Sequence, residues 1–87
     1  MKDFVWDKKK SQKLKETRHI CFEDIIEILI GEQFLAITKN PSKNFPNQKF
    51  YIIEFKNYIY YIPFVEDNKN VYLETIIPSR KALKKYL

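Results

Sequence analysis

Arg80 and Lys81 stand directly behind Pro78 and Ser79, between an apolar run beginning at Val71 and a basic stub that ends Lys84-Lys85-Tyr86-Leu87. A strand ending in a Pro-Ser break delivers a guanidinium and an ammonium group to the start of a short helix, where a phosphate can meet them. With Lys49, Glu54 and the tyrosines Tyr58, Tyr60, Tyr61 and Tyr86, they make up a set of residue types able to cleave RNA without metal. In that chemistry a base takes the 2′-hydroxyl proton, a cation steadies the pentacoordinate phosphate and an acid protonates the leaving oxygen. Arg80, Lys81, Lys49 and Glu54 form the candidate catalytic set. Lys10, Lys13, Arg18, Tyr61 and Tyr86 form the candidate substrate-binding set, the cations for phosphates and the rings for base stacking. Lys49 and Arg80 meet only if the strand register brings their strand ends together, which the residues alone do not decide.

Each candidate has a plainer role to be weighed against. Lys49 serves equally as an edge-strand charge that blocks aggregation. Arg80 has Glu66 and Glu74 as salt-bridge partners, and Lys81 is an ordinary surface cation. Glu54 fits a solvated sheet face, and Tyr86 fits a hydrophobic anchor for the last helix. His19 and Cys21 do not make a nucleophile and base, because residues two apart on a helix point away from each other and no third group orients them.

The rest of the chain narrows the class. Its 87 residues, 45% hydrophobic, make one domain spanning 1–87 with a single core. A net charge of +5 makes polyanions the default partner class. One Cys and one His exclude a disulfide framework and a Cys/His zinc site, and no metal or other cofactor is expected. A single glycine, Gly31, leaves no phosphate-cradling loop, and GxSxG, HExxH and paired CxxC motifs are absent. No apolar run reaches the ~18 to 20 residues of a membrane span, and Met1-Lys2-Asp3 leads into no signal-peptide core. A cytoplasmic protein is expected.

The elements that must position these residues follow from periodicity. Phe4-Val5-Trp6 reads as a short strand, and Asp7 caps a polar helix running to Arg18, with Lys10, Leu14 and Thr17 as its inward stripe. Phe22, Ile25, Ile26 and Leu29 keep helical spacing for a second helix that ends at Gly31. Phe34 to Thr38 is a strand, followed by a loop rich in Asn, Pro and Ser. Lys49 to Phe55, Tyr58 to Glu66 and Val71 to Ile77 are dense in β-branched and aromatic residues and read as an antiparallel meander. Pro63 calls for a bulge or bend in the middle strand. The expected fold is α+β: a short strand and two helices packed on an antiparallel sheet, closed by a short C-terminal helix. The basic first helix and basic tail are expected to flank one side of the sheet, with the acidic second helix on the other.

The order of these parts resembles the BrnT family of toxins from bacterial type II toxin-antitoxin systems, within the RelE-like ribonuclease superfamily. The resemblance covers nearly the whole chain. It is carried by Val5-Trp6-Asp7 with Lys10 and Lys13, by Ile20-Cys21-Phe22-Glu23, by Lys49-Phe50, and above all by Ile76-Ile77-Pro78-Ser79-Arg80-Lys81-Ala82. It implies a RelE-like fold, cleavage of RNA, and a neutralising antitoxin partner of the ribbon-helix-helix type in a hetero-oligomer. It also implies a strand-start cation at Lys49 and a corner cation pair at Arg80 and Lys81. The chain departs from the family pattern at Arg18, where the family has histidine, at Pro78 in place of serine, and at Glu54 in place of glycine. Its last helix is also shorter. The alternative is a non-catalytic RNA- or protein-binding module with the same basic surface.

Overall fold

The computed structural model describes residues 2–87, an α+β fold of three helices and a mixed six-stranded sheet. In chain order the elements are β1 (Asp3–Val5), α1 (Lys8–Arg18), α2 (Phe22–Ile30), β2 (Ala36–Lys39), β3 (Lys49–Phe55), β4 (Tyr58–Glu66), β5 (Asn70–Leu73), β6 (Ile77–Pro78) and α3 (Arg80–Tyr86). The strands lie in the order β1-β5-β4-β3-β2, and β6 pairs with β4 alone. The β3-β4-β5 meander is antiparallel as expected, but β1 joins β5 in parallel, with Phe4 opposite Val71. That pairing unites the two ends of the chain, a long-range contact with no local signature. Among the described residues no helix is long and apolar enough to cross a membrane.

Because side chains alternate along a strand, the sheet has two faces and each finds its own helices. Tyr51, Ile53, Ile62, Phe64, Val71 and Leu73 face α1 and α2 and form the main core with Leu14, Phe22, Ile25 and Leu29. Ile52 and Ile59 point the other way and pack against Ala82 of α3, with Tyr61, Leu83 and Tyr86 around them. Basic α1 and acidic α2 therefore share a face, and α3 lies on the opposite one. This corrects the expectation that the two basic elements flank one side. Phe22 is fully buried at the first turn of α2, and truncating such a ring to alanine costs about 3–5 kcal/mol.

Polar α1 is held by hydrogen bonds rather than by an apolar stripe. Asp7 Oδ1 accepts from the Lys9 and Lys10 amides at 2.8 and 3.2 Å. The buried positions are Ser11 and Leu14; Lys10 and Thr17 are exposed, contrary to the expected stripe. Ser11 Oγ donates to Glu23 Oε1 and accepts from the Phe22 amide at 3.0 Å, tying α1 to the start of α2. Lys15 reaches Asp24 at 2.8 Å, and Asp24 in turn accepts from the Cys21 amide at 3.1 Å.

The last apolar run is broken, contrary to the single strand expected from Val71 to Ile77. β5 ends at Leu73, the chain steps across Glu74 to Ile76, and Ile76 is wholly buried before β6 begins. This step accommodates Pro63 without a bulge. In an antiparallel ladder a residue's N–H and C=O point to the same neighbouring strand. The Pro63 carbonyl accepts from the Glu74 amide at 2.9 Å. The donor that proline lacks would face Glu74, and β5 ends one residue before it, at Leu73.

Candidate functional site

The β6 edge is where cations from both ends of the chain come together. Ser79 accepts the Ala82 amide through Oγ at 3.1 Å and starts α3, while its own amide donates to the Ile59 carbonyl at 2.9 Å. The corner is therefore pinned to β4, and Arg80 and Lys81 emerge from it exposed. On the other face, Arg18 sits one helical repeat beyond Ser11 and Leu14 and donates to the Ile76 carbonyl. From Ile76 to Arg80 the chain spans at most ~14 Å, so the Arg18 guanidinium and the start of α3 flank the same short strand, on opposite faces of the sheet. Lys10, Lys13 and Arg18 line an open notch of about 280 Å³ with Thr17 and Thr75, just before that strand.

These cations carry uncompensated charge. Among the described residues the ion pairs are Lys2–Glu66, Lys15–Asp24 and Lys49–Glu66, and none involves Lys10, Lys13, Arg18, Arg80 or Lys81. The salt bridges anticipated for Arg80 with Glu66 or Glu74 do not form. Glu66 is taken by Lys2 and Lys49, and Glu74 accepts from Gln48 at 2.8 Å. Exposed cations held around one edge present a focused positive field to a polyanion.

Lys49 does not belong to this group, a correction to the candidate catalytic set. It stands opposite Phe64 in the register and on the side of the sheet that packs α1 and α2, whereas Arg80 and Lys81 belong to α3. Along β4 the position of Lys49 is five residues from Ile59, about 17 Å at ~3.3 Å per residue. Its ammonium group lies 3.3 Å from Glu66, whose carboxyl is held below its usual range first by the Lys2 hydrogen bond and then by that of Lys49. The odd-numbered residues Lys49, Tyr51 and Ile53 alternate together, so the parity of β3 carries the signal that separates Lys49 from the α3 side.

Glu54, Tyr61 and Tyr86 do share a face with α3. Glu54 pairs with Ile59 across β3 and β4, while Ser79 binds Ile59 from the other flank, so Glu54 and the α3 corner stand two strand spacings apart. At ~4.8 Å per spacing that is about 10 Å between backbones, within the combined reach of Glu and Arg side chains. Glu54 is exposed. Tyr61 stacks on Phe50 with centroids 5.6 Å apart and planes 18° from parallel. Tyr86 packs on the Ile52, Ile59 and Ala82 cluster with Lys85 Nζ 5.5 Å from its ring centre, so it anchors α3. Both rings are half-buried and keep an exposed edge.

The remaining polar clusters are structural. Glu23 is lowered to about 2, chiefly by the Ser11 hydroxyl and then by the Trp6 indole, which donates to Oε2 at 3.0 Å. Burial raises the Cys21 thiol, and Cys21 stands at the N-cap of α2, its amide held by Asp24. His19 occupies the left-handed C-cap of α1 at φ 60° and is exposed beside Arg18. No three His, Cys, Asp or Glu side chains among the described residues converge as a metal site. The Arg18 contact with Ile76 was the feature hardest to anticipate, since those residues are far apart in sequence and nothing local links them. No family model, curated protein or solved structure matches this chain.

Proposed function

We propose that the chain is an endoribonuclease toxin that cuts RNA without a metal and is neutralised by a cognate antitoxin, its α+β fold being of the RelE-like kind. The observation that supports this reading is the gathering of unpaired Lys10, Lys13, Arg18, Arg80 and Lys81 around the β6 edge. An RNA strand crossing that edge passes from the α1 notch to the α3 corner. Arg80 and Lys81 neutralise the charge that builds on the scissile phosphate. Glu54, on the same face, takes the 2′-hydroxyl proton as the 2′-oxygen bonds to phosphorus; the P–O5′ bond breaks and the departing 5′-oxygen takes a proton from solvent water. The Phe50–Tyr61 stack offers a ring to a neighbouring base. Lys49, engaged by Glu66, plays no part.

Binding without cleavage is the second reading, favoured by the position of Glu54 across Ile59 from the corner rather than against Arg80. Expression in a bacterium without any partner separates the two. The toxin arrests growth, Arg80→Ala and Glu54→Gln relieve the arrest, and Lys49→Ala does not. Harmless wild-type protein at verified expression would leave only the binding module.

A further inference from the structure

A second cavity lies away from the cationic edge and is of a different character. It is an open groove of about 800 Å³ between α2 and the sheet. Phe4 of β1, Val71 of β5, Tyr51 of β3 and Ile37 of β2 floor it, and Leu29 and Ile30 wall it. Ile30 at the end of α2 and Ile37 of β2 are 58% and 48% exposed, two large apolar side chains left open to solvent beside it. Two short helices do not blanket five strands spaced ~4.8 Å apart, and Ile30 and Ile37 flank the side left open.

The charges at the rim indicate what fills it. On this net-positive chain the groove is bordered by Asp3, Glu32 and Glu66, with Lys2 as the only cation among the described residues lining it. Lys2 lies 2.5 Å from Glu66, which Lys49 also contacts, so Glu66 is already neutralised. Asp3 and Glu32 are exposed and form no ion pair among the described residues. An apolar trough with an acidic lip complements an amphipathic helix whose apolar stripe is flanked by lysine or arginine.

We infer that this groove docks such a helix from a second protein, completing the α1 and α2 layer from outside. Identifying that protein as the neutralising antitoxin rests on the toxin reading above; the docking chemistry does not. The groove leaves the β6 edge free, so a partner anchored here controls the cationic site through whatever it extends beyond the groove.

The single tryptophan, Trp6, lines the groove and reports on its occupancy. Titration with a synthetic amphipathic peptide of about 14 residues, four helical turns, with a leucine and phenylalanine stripe between lysines, should shift Trp6 emission saturably. The same peptide with glutamates in place of the lysines should bind at least roughly tenfold more weakly. Ile30→Glu should abolish the shift, and Glu32→Lys should invert the preference between the two peptides. Far-UV circular dichroism of both variants shows that the fold is retained. No shift with either peptide, equal binding of both, or binding that survives Ile30→Glu would overturn the inference. So would concentration-dependent self-association of the chain that Ile30→Glu abolishes, because the occupant would then be a second copy. Growth arrest is scored separately: its absence sinks the nuclease and leaves the peptide result to decide the docking site.

Discussion

The salt dependence of RNA binding offers a quantitative check on the cationic edge. Each phosphate neutralised on a single strand contributes a slope of about −0.7 to log Kobs against log salt. Lys10, Lys13, Arg18, Arg80 and Lys81 form no ion pair among the described residues and flank one strand, so five contacts set a slope near −3.5. Between 50 and 200 mM salt, affinity should then fall about a hundredfold. Arg80→Ala removes one contact and should bring the slope to about −2.8, and Arg18→Ala should do the same from the opposite face of the sheet. Lys49→Ala should leave it unchanged, because that ammonium group faces Glu66 at 3.3 Å. Fluorescence anisotropy of a labelled single-stranded RNA across a salt series, with Glu54→Gln as the background to prevent turnover, gives all four slopes. A wild-type slope shallower than about −1, or an equal loss on Lys49→Ala and Arg80→Ala, would refute the reasoning.

The structural polar network yields further tests. Ser11→Ala strips the Phe22 amide of its acceptor inside the core, which should cost about 1–3 kcal/mol and lower the melting temperature by roughly 10 °C. Circular dichroism melting decides it. Glu23 is lowered from 4.5 to about 2, so its contribution is present above the unfolded value and is lost as pH falls from about 4.5 toward about 2. Urea unfolding across that window should show this loss in the wild type and a flatter profile for Glu23→Gln. Lys49→Ala breaks only a solvent-exposed pair and should change stability by less than about 1 kcal/mol, again read from urea midpoints.

The elements with strong periodicity were legible in the residues themselves. Phe22, Ile25 and Leu29 define α2 up to Gly31, and the β3-β4 hairpin runs from Lys49 to Glu66 as its β-branched and aromatic content predicts. Long-range pairings were not legible. Val71 to Ile77 reads as one strand, and only the tertiary position of Pro63 explains why the chain abandons the ladder at Glu74. The parallel pairing of Phe4 with Val71 leaves no trace in either segment. The candidate site divided along the same line. Arg80 and Lys81 are located by the local Pro-Ser break and the Ser79 cap, whereas Lys49 was assigned by its strand end when its face mattered more. The joining of Arg18 to the corner depends on a backbone carbonyl at Ile76, and a carbonyl carries no residue signature.

The toxin proposal requires metal-free RNA cleavage at an edge served by both α1 and α3. Purified chain incubated with single-stranded RNA in excess EDTA tests it most directly. Fragments ending in 2′,3′-cyclic phosphate are expected, lost in both Arg18→Ala and Arg80→Ala and retained in Lys49→Ala. RNA left intact by the wild type, or cut only when a divalent metal is restored, would contradict it.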